Sequence, residues 1–152
     1  MPQLIRTTSA HEGFQNLVIQ LNRYLHEKDG DEHAFYAQFN KSDSLSEVVV
    51  LEENGVAVAC GALRKFDGER VEVKRMFSEP EMRGRGYAGM VLKELEKWAA
   101  ELGFRECILE TGNRQTEAVG FYHKSGYTII PNFGPYIGVD NSICFSKKLV
   151  LT

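Results

Sequence analysis

The sequence predicts a single domain of mixed α/β structure, in which helices cover the faces of one mixed sheet. Strand-like runs between residues 47 and 77 are separated by short turns, which predicts an antiparallel meander. From residue 88 onward helices and strands alternate, which is typical of crossover connections. At 152 residues, 43% apolar and 26% charged, the whole chain (1–152) has the size and composition of one domain with a continuous core.

The first half predicts one strand, two helices and the meander. Apolar residues at spacings of three and four predict a helix between Ser9, its expected cap, and Lys28. The Asn54-Gly55 pair suits a tight hairpin turn. The predicted elements are a strand over Leu4–Thr8, a short aromatic-rich helix over His33–Asn40, and strands over Glu47–Leu51, Val56–Leu63 and Val71–Phe77.

The second half contains the most regular helical pattern of the chain. From Ala88 to Leu102 apolar residues recur every three or four positions, and Gly103 ends the helix. The elements predicted after it are a strand over Glu106–Thr111, a helix over Glu117–Lys124, a strand over Tyr127–Ile130, a loop over Pro131–Asn141 and a strand over Ile143–Leu149.

Charge and cysteine content disfavour several classes of protein. A net charge of -3 gives no excess of positive charge to attract nucleic acid or anionic lipid. Cys60, Cys107 and Cys144 lie in apolar runs without metal-binding or redox spacing, so we expect reduced, buried thiols and no metal. No apolar run approaches the roughly 18 residues of a membrane span. These features predict a cytoplasmic protein with no nucleic-acid or membrane partner.

A glycine-rich segment, Arg83-Gly84-Arg85-Gly86-Tyr87-Ala88, stands directly before the strongest helix. Glycines allow a ligand close to the backbone, and the first N–H groups of a helix, together with its dipole, favour an anion. The segment lacks the Gly-Lys-Ser/Thr of a P-loop and the three glycines of a dinucleotide fingerprint. It predicts a phosphate or pyrophosphate cradle, although a glycine-rich helix entry with solvated arginines has the same pattern.

Two separated motifs resemble the GNAT superfamily of acyl-CoA-dependent N-acetyltransferases. Arg83-x-x-Gly86-x-Ala88 is similar to the family's Arg/Gln-x-x-Gly-x-Gly/Ala signature. The segment from Ala118 through Tyr122 to Gly126-Tyr127 is similar to the family's Ala-x-x-x-Tyr-x-x-x-Gly-Phe/Tyr segment. The resemblance implies a central, mostly antiparallel sheet of six to seven strands, with helices on both faces and one splayed pair of parallel strands, here Val71–Phe77 and Glu106–Thr111.

The resemblance also implies acetyl-CoA as co-substrate, bound in the gap between the splayed strands. It places the pantetheine on the backbone of Met76, Phe77 and Ser78. Gln115 stands where many members carry a cofactor-binding Asn. The pyrophosphate would bind to the cradle residues, which are Arg83, Gly84, Arg85, Gly86, Tyr87 and Ala88.

Acetyl transfer to an amine needs a base for the ammonium and an acid for the departing thiolate. Glu72 lies eleven residues before Arg83, where several family members resemble one another in carrying a base, and Tyr122 matches the family's tyrosine near the thioester sulfur. A surface acid paired across the sheet and a core aromatic are the ordinary alternatives for these two residues. Four histidines without triad or ligand spacing are weaker candidates for the base: His11, His26, His33 and His123.

The resemblance implies that the acceptor enters beside the first helices and the late loop. The candidate contacts there are aromatic: Tyr24, Tyr36, Phe39, Phe133 and Tyr136. Acids that could attract a cationic amine are Glu32, Glu110 and Asp140. Ordinary packing under a loop is an equally good explanation of the aromatic residues.

Together these features predict an N-acetyltransferase that moves acetyl from acetyl-CoA to a primary amine of a small molecule, amino acid or peptide. Direct attack in a ternary complex is expected, because the cysteines give no reason for an acyl-enzyme. The alternative is a non-catalytic acyl-CoA-binding regulatory module. The Ile143–Leu149 strand either pairs across a homodimer or closes the sheet within one chain.

Overall fold

A computed structural model describes residues 1–29 and 44–150 of the chain. The predicted elements within these ranges are confirmed, with ends shifted by at most three residues, and the helix predicted at His33–Asn40 lies outside them. The strands are β1 (Gln3–Thr7), β2 (Glu47–Glu53), β3 (Val56–Lys65), β4 (Arg70–Ser78), β5 (Glu106–Gly112), β6 (Thr128–Ile130) and β7 (Ser142–Lys148). The helices are α1 (Glu12–Asp29), α2 (Tyr87–Glu101) and α3 (Thr116–Lys124).

All seven strands form one sheet in the order β1-β2-β3-β4-β5-β7-β6. Every neighbouring pair is antiparallel except β4 and β5. These two parallel strands pair only where Arg70–Glu72 faces Glu106–Ile108. Beyond Glu72 the two strands continue without a ladder between them, so the sheet opens into a split. The predicted mixed sheet with one splayed parallel pair is confirmed.

A β-bulge interrupts β4 at the start of this split. Lys74 lies opposite Ala62 and Phe77 lies opposite Cys60, so Arg75 and Met76 together face Gly61. Arg75 has a φ of 61°, a left-handed conformation that is unusual for a non-glycine residue. A Cβ at position 61 would lie 2.5 Å from the Met76 Sδ atom and 2.8 Å from the Leu95 Cδ1 atom, so a larger residue would force these side chains to shift. The sequence predicted an unbroken strand here.

Helices α1 and α2 cover opposite faces of the sheet. On one face Val91, Leu92 and Leu95 of α2 pack against Val49 and Leu51 of β2. On the other face Val48 and Val50 pack against the apolar residues of α1, which are Phe14, Leu17, Val18 and Leu21. Burial on both faces explains why β2 is a continuous apolar run rather than an alternating one.

Local details confirm some predictions and correct one. Asn54 and Gly55 have φ of 54° and 80°, as a tight type I′ hairpin turn requires. The predicted cap Ser9 instead accepts a hydrogen bond from the Leu45 N–H, and the Nδ1 atom of His11 accepts one from the Phe14 N–H at the start of α1. Sequence alone could not show that Leu45 would compete for the serine hydroxyl.

The remaining sequence-based expectations concern cysteines, membranes and the last strand. All three cysteines are buried, free thiols, and burial raises the pKa of Cys60 to about 12. Within residues 1–29 and 44–150, no helix has the length and apolar character needed to cross a membrane.

Strand β7 pairs with β5 along its length and with β6 at Cys144–Ser146, so it closes the sheet within the chain.

Candidate active site

Two adjoining cavities occupy the split between β4 and β5. The larger, here called the groove, has a volume of about 330 Å³ and lies between α1, the end of β4, the N-terminus of α2 and α3. The smaller, here called the inner cavity, has a volume of about 100 Å³ and lies between β4 and β5. Five residues line both and mark their junction: Leu21, Met76, Gln115, Ala118 and Tyr122.

The predicted cradle forms one end of the groove. Gly86 occupies the N-cap position of α2 with a φ of 79°, and no side chain in the part of the chain that the structure describes caps this helix end. The N–H groups of the first turn are therefore available to an anion. Arg83 lies over the ring of Tyr24 at 5.4 Å and near that of Phe77 at 5.9 Å, which holds its positive charge beside the groove.

The other cradle residues divide into two groups. Gly84, Tyr87 and Ala88 line the groove with Arg83 and Gly86. Arg85 is not among the lining residues, and its Nη1 atom lies 3.6 Å from the Glu53 Oε2 atom. Arg85 therefore does not form a wall of the groove. Its positive charge faces Glu53.

The end of β4 forms the floor of the groove. Met76, Phe77 and Ser78 all line it, directly after the bulge at Arg75. On one side Phe77 and Ser78 pair with β3. On the side that faces β5, no described strand pairs with β4 beyond Glu72. This edge therefore offers backbone hydrogen-bonding groups to a ligand.

Helix α3 supplies the two polar side chains at the junction of the cavities. Gln115 is the N-cap residue of α3, and its side chain makes no capping hydrogen bond. Tyr122 is buried, with ring contacts to Phe121, Tyr127 and Phe145 at 5.1, 5.7 and 6.0 Å between centroids. Burial raises the pKa of the Tyr122 phenol above its usual value, so the hydroxyl keeps its proton at neutral pH.

Glu72 and Lys74 lie on the same face of β4, two residues apart, and line the inner cavity. The Lys74 Nζ atom is 3.6 Å from the Glu72 Oε2 atom, and both side chains are largely buried. Burial raises the pKa of Glu72 above its ordinary value, while Lys74 and Arg64 offset part of that rise. Glu72 is thus a stronger base than an exposed glutamate, which suits proton abstraction.

Strand β5 and the late loop complete the inner cavity. Glu110 accepts a hydrogen bond of 2.7 Å from the Ser142 hydroxyl. Thr111 is 5% exposed, and its Oγ1 atom has no hydrogen-bond partner among the described residues. Tyr136 also lines this cavity, and burial followed by the nearby charges of Glu72 and Glu110 raises the pKa of its phenol.

The five predicted acceptor contacts occupy different places. Tyr136 lines the inner cavity, whereas Tyr24 lines the groove beside Arg83, on the side of the cradle. Phe133 lines neither cavity and packs against the rings of Phe66 and Tyr136 at 5.3 and 5.6 Å. Its place favours the packing alternative. The predicted contacts Tyr36 and Phe39 lie outside the described residues.

The weaker candidates do not meet at the site. His11, His26 and His123 line neither cavity, and His123 packs against the Phe145 ring at 5.2 Å. Asp140 also lines neither cavity, while His33 and Glu32 lie outside the described residues.

Sequence reasoning missed Lys74, Arg75 and Thr111 as lining residues and left Glu110 without a position. The alternation of a strand could have placed Lys74 on the face of Glu72. A glycine inside β3, Gly61, was the one local sign of the bulge at Arg75. Nothing local marked Thr111, because its place depends on how far β4 and β5 separate.

The profile of the "Acetyltransferase (GNAT) family" matches residues 13–127. Among curated relatives, the "IAA acetyltransferase" of Azospirillum brasilense is 31% identical in an alignment that covers 95% of this chain and 95% of that protein. The "Uncharacterized N-acetyltransferase YjcF" of Bacillus subtilis is 33% identical over 93 residues, which cover 61% of this chain and 64% of that protein.

Solved structures show the same fold. A candidate acyl-CoA N-acyltransferase from Klebsiella pneumoniae superimposes with a TM-score of 0.82 at 24% identity over 99% of both chains. A GNAT family acetyltransferase from Elizabethkingia anophelis, solved with acetyl-CoA bound, has a TM-score of 0.68 at 18% identity, over 97% of this chain and 98% of that one. On the family match and the full-length relative, this chain belongs to the GNAT family of acetyltransferases.

Proposed function

We propose that this protein transfers the acetyl group of acetyl-CoA to a primary amine of a small molecule, amino acid or peptide, by direct attack in a ternary complex. The observation that carries the proposal is the junction of the two cavities. The groove ends in an anion cradle, the inner cavity contains a buried carboxylate, and Tyr122 lines both.

Acetyl-CoA would bind along the groove. Its phosphates match the open N-terminus of α2 and the charge of Arg83. Its pantetheine amides match the unpaired edge of β4 at Met76, Phe77 and Ser78, with Gln115 on the opposite wall. With acetyl-CoA bound in this way, the thioester would lie toward Tyr122, which lines both cavities.

The amine nitrogen loses two protons in the reaction, and the departing thiolate gains one. Glu72 accepts the first proton from the acceptor ammonium, and the neutral amine then attacks the thioester carbonyl carbon. The C–N bond forms as the C–S bond breaks, and the departing thiolate takes the phenolic proton of Tyr122. The acetylated nitrogen then gives its second proton to the Tyr122 phenolate, and Glu72 releases its proton to solvent. Burial strengthens Glu72 as a base, whereas it keeps Tyr122 protonated but makes its phenol a weaker acid.

The second candidate function is an acyl-CoA-binding regulatory module without turnover. The Glu72–Lys74 ion pair at 3.6 Å favours it, because a carboxylate engaged by a lysine is less available as a base. The two functions share the cradle and differ only in whether an acceptor is acetylated.

Amine-dependent release of the CoA thiol distinguishes them. The acceptor panel contains short amines, amino acids and a dipeptide, and IAA is tested beside it as a separate compound because of the name of the Azospirillum brasilense relative. An enzyme releases thiol with at least one acceptor, and Tyr122→Phe lowers kcat by about a hundredfold while the Kd for acetyl-CoA changes less than twofold.

Tyr127→Phe is the matched control, because it removes a buried phenol that donates to Glu96 rather than facing the cavities. It should reduce stability and leave kcat within about twofold. Release that is independent of every acceptor, or equal losses in kcat for the two variants, would contradict the proposed role of Tyr122.

A further inference from the structure

The inner cavity is lined by buried groups of both charges. Glu72 and Lys74 come from β4, Arg75 from the bulge and Glu110 from β5. Lys74 and Arg75 are each 8% exposed. Resting on the proposed function, we propose that the acceptor is a compact zwitterionic amino acid, whose ammonium binds toward Glu72 and Glu110 and whose carboxylate binds toward Lys74 and Arg75.

The distribution of charge favours a zwitterion over other amines. These charges already have partners in the protein, and an occupant that carries both signs can add an opposite charge beside each pair without displacing them. A diamine or polyamine would bring a second cation against Lys74 and Arg75. A simple alkylamine would satisfy the carboxylates alone. An amino acid satisfies both pairs.

The existing contacts hold these groups in position around the cavity. The Arg75 Nη1 atom donates to the Asn22 Oδ1 atom at 3.0 Å, which ties the guanidinium to α1. The Ser142 hydroxyl donates to Glu110 at 2.7 Å, which fixes one carboxylate oxygen. The Lys74 Nζ atom lies 3.6 Å from the Glu72 Oε2 atom, so the two charges remain close to each other. The recognition groups are therefore oriented before the acceptor binds.

Thr111 gives a second, independent indication of a polar occupant. It lines the inner cavity, is 5% exposed, and its Oγ1 atom has no hydrogen-bond partner among the described residues. Native proteins rarely bury a hydroxyl in this way unless a ligand or solvent completes it. A carboxylate or ammonium in the cavity would supply that partner.

The size of the cavity limits the side chain of the acceptor. The inner cavity is the smaller of the two, at about 100 Å³, and it meets the groove at Tyr122. Glycine and alanine match this space, whereas a long side chain would have to extend toward the groove. The geometry thus selects short amino acids.

Alanine and ethylamine provide the sharpest test, because they differ only in the carboxylate. The wild-type protein should acetylate alanine with a kcat/KM at least tenfold higher than ethylamine, and putrescine should be no better than ethylamine. Lys74→Met should reduce the alanine-to-ethylamine ratio at least tenfold. The alanine-to-ethylamine ratio reports recognition of the carboxylate alone. Loss of the ion pair between Lys74 and Glu72 should change kcat/KM for both acceptors alike, so it cancels in the ratio.

Three further variants keep the test independent of folding. Lys74→Arg retains the charge and should keep most of the ratio. Lys93→Met removes an exposed lysine of α2 and should leave the ratio unchanged. Thr111→Val is nearly isosteric and should lower kcat/KM for alanine more than for ethylamine. Thermal unfolding of each variant with acetyl-CoA verifies that it is folded.

The outcomes separate this inference from the proposed function. Turnover with a wild-type ratio near one, a preference for putrescine, or a ratio that Lys74→Met leaves unchanged would overturn the zwitterion inference alone. Binding of acetyl-CoA without turnover of any amine would overturn the proposed function and this inference with it. A high alanine-to-ethylamine ratio that falls in Lys74→Met and is retained in Lys74→Arg supports the zwitterion inference.

Discussion

Individual residues at the junction acquire their chemistry from burial. Glu72 and Tyr122 are ordinary amino acids in the sequence, and their surroundings move the pKa of each upward by removing water from the ionised form. For Glu72 this makes a better base, and for Tyr122 it preserves an acid. The same physical effect makes Glu72 a stronger base and the Tyr122 phenol a weaker acid, while it keeps that phenol neutral before the thiolate leaves.

The pH dependence of the rate tests Glu72 directly. In the wild-type protein kcat/KM should fall on the acid side as Glu72 is protonated, with an apparent pKa above the ordinary 4.5 of a glutamate. Glu72→Gln should lower the rate about a hundredfold near pH 7. The loss should shrink as the pH rises toward the pKa of the amine, because solution then supplies neutral acceptor.

Glu81→Gln is the control for this profile, since Glu81 is an exposed acid in the turn before the cradle. Its rate should follow the wild-type profile at every pH. A Glu72→Gln variant that keeps the shape of the wild-type profile would assign the base to another group.

At the scale of elements, two irregular connections build the groove. The bulge in β4 interrupts the pairing with β3 at Arg75 and Met76, and Gly86, in a left-handed conformation, is the N-cap of α2. Each departs from ideal geometry at the place where a ligand would meet the backbone. The left-handed backbone of Arg75 is strained, and functional sites commonly retain such strain.

Gly86 and Gly120 form a matched pair for measuring the cost of placing a side chain on a left-handed backbone. A Cβ at either position meets nothing within 4 Å, but only Gly86 has a positive φ, 79°. Gly86→Ala should therefore lower the free energy of unfolding by about 1–2 kcal/mol. Gly120→Ala, within α3, should raise it by about 0.5–1 kcal/mol. Urea unfolding measures both changes.

Binding distinguishes the two glycines further. Gly86→Ala should weaken acetyl-CoA binding, because it disturbs the N-terminus of α2, whereas Gly120→Ala should leave the Kd unchanged. Equal effects of the two substitutions on stability and affinity would show that the left-handed conformation at Gly86 is not needed.

For the whole molecule, the split in the sheet leaves the β5-facing edge of β4 beyond Glu72 without a partner strand among the described residues, in the middle of the fold. Acetyl-CoA that binds this edge and the cradle should stabilise the native state. At about a hundredfold excess over Kd the free energy of unfolding should rise by about 2.7 kcal/mol, which corresponds to roughly 5–10 °C in Tm.

Thermal unfolding measures this shift, and ATP and NAD serve as comparison ligands. CoA should act like acetyl-CoA, while ATP and NAD should give little change. Arg83→Ala should reduce the shift, because it removes the charge held beside the groove by Tyr24 and Phe77. Equal shifts with all four ligands would indicate nonspecific anion binding rather than a CoA site.

The sequence by itself determined the order and type of the described elements, the hairpin turn at Asn54-Gly55 and the glycine-rich entry to α2. Hydrophobic periodicity, turn chemistry and helix capping act over a few residues, so they are visible without the fold. The two motifs that resemble the family are also local, and they were sufficient to predict the splayed parallel pair.

Only the tertiary structure decided which side chains share a cavity. The bulge at Arg75 depends on the register between β3 and β4, and the place of Thr111 depends on where β4 and β5 separate. Tyr24 and Phe133 were predicted together, yet one lies beside Arg83 and the other packs in the core. These positions depend on contacts between residues far apart in sequence, and a local pattern carries no information about them.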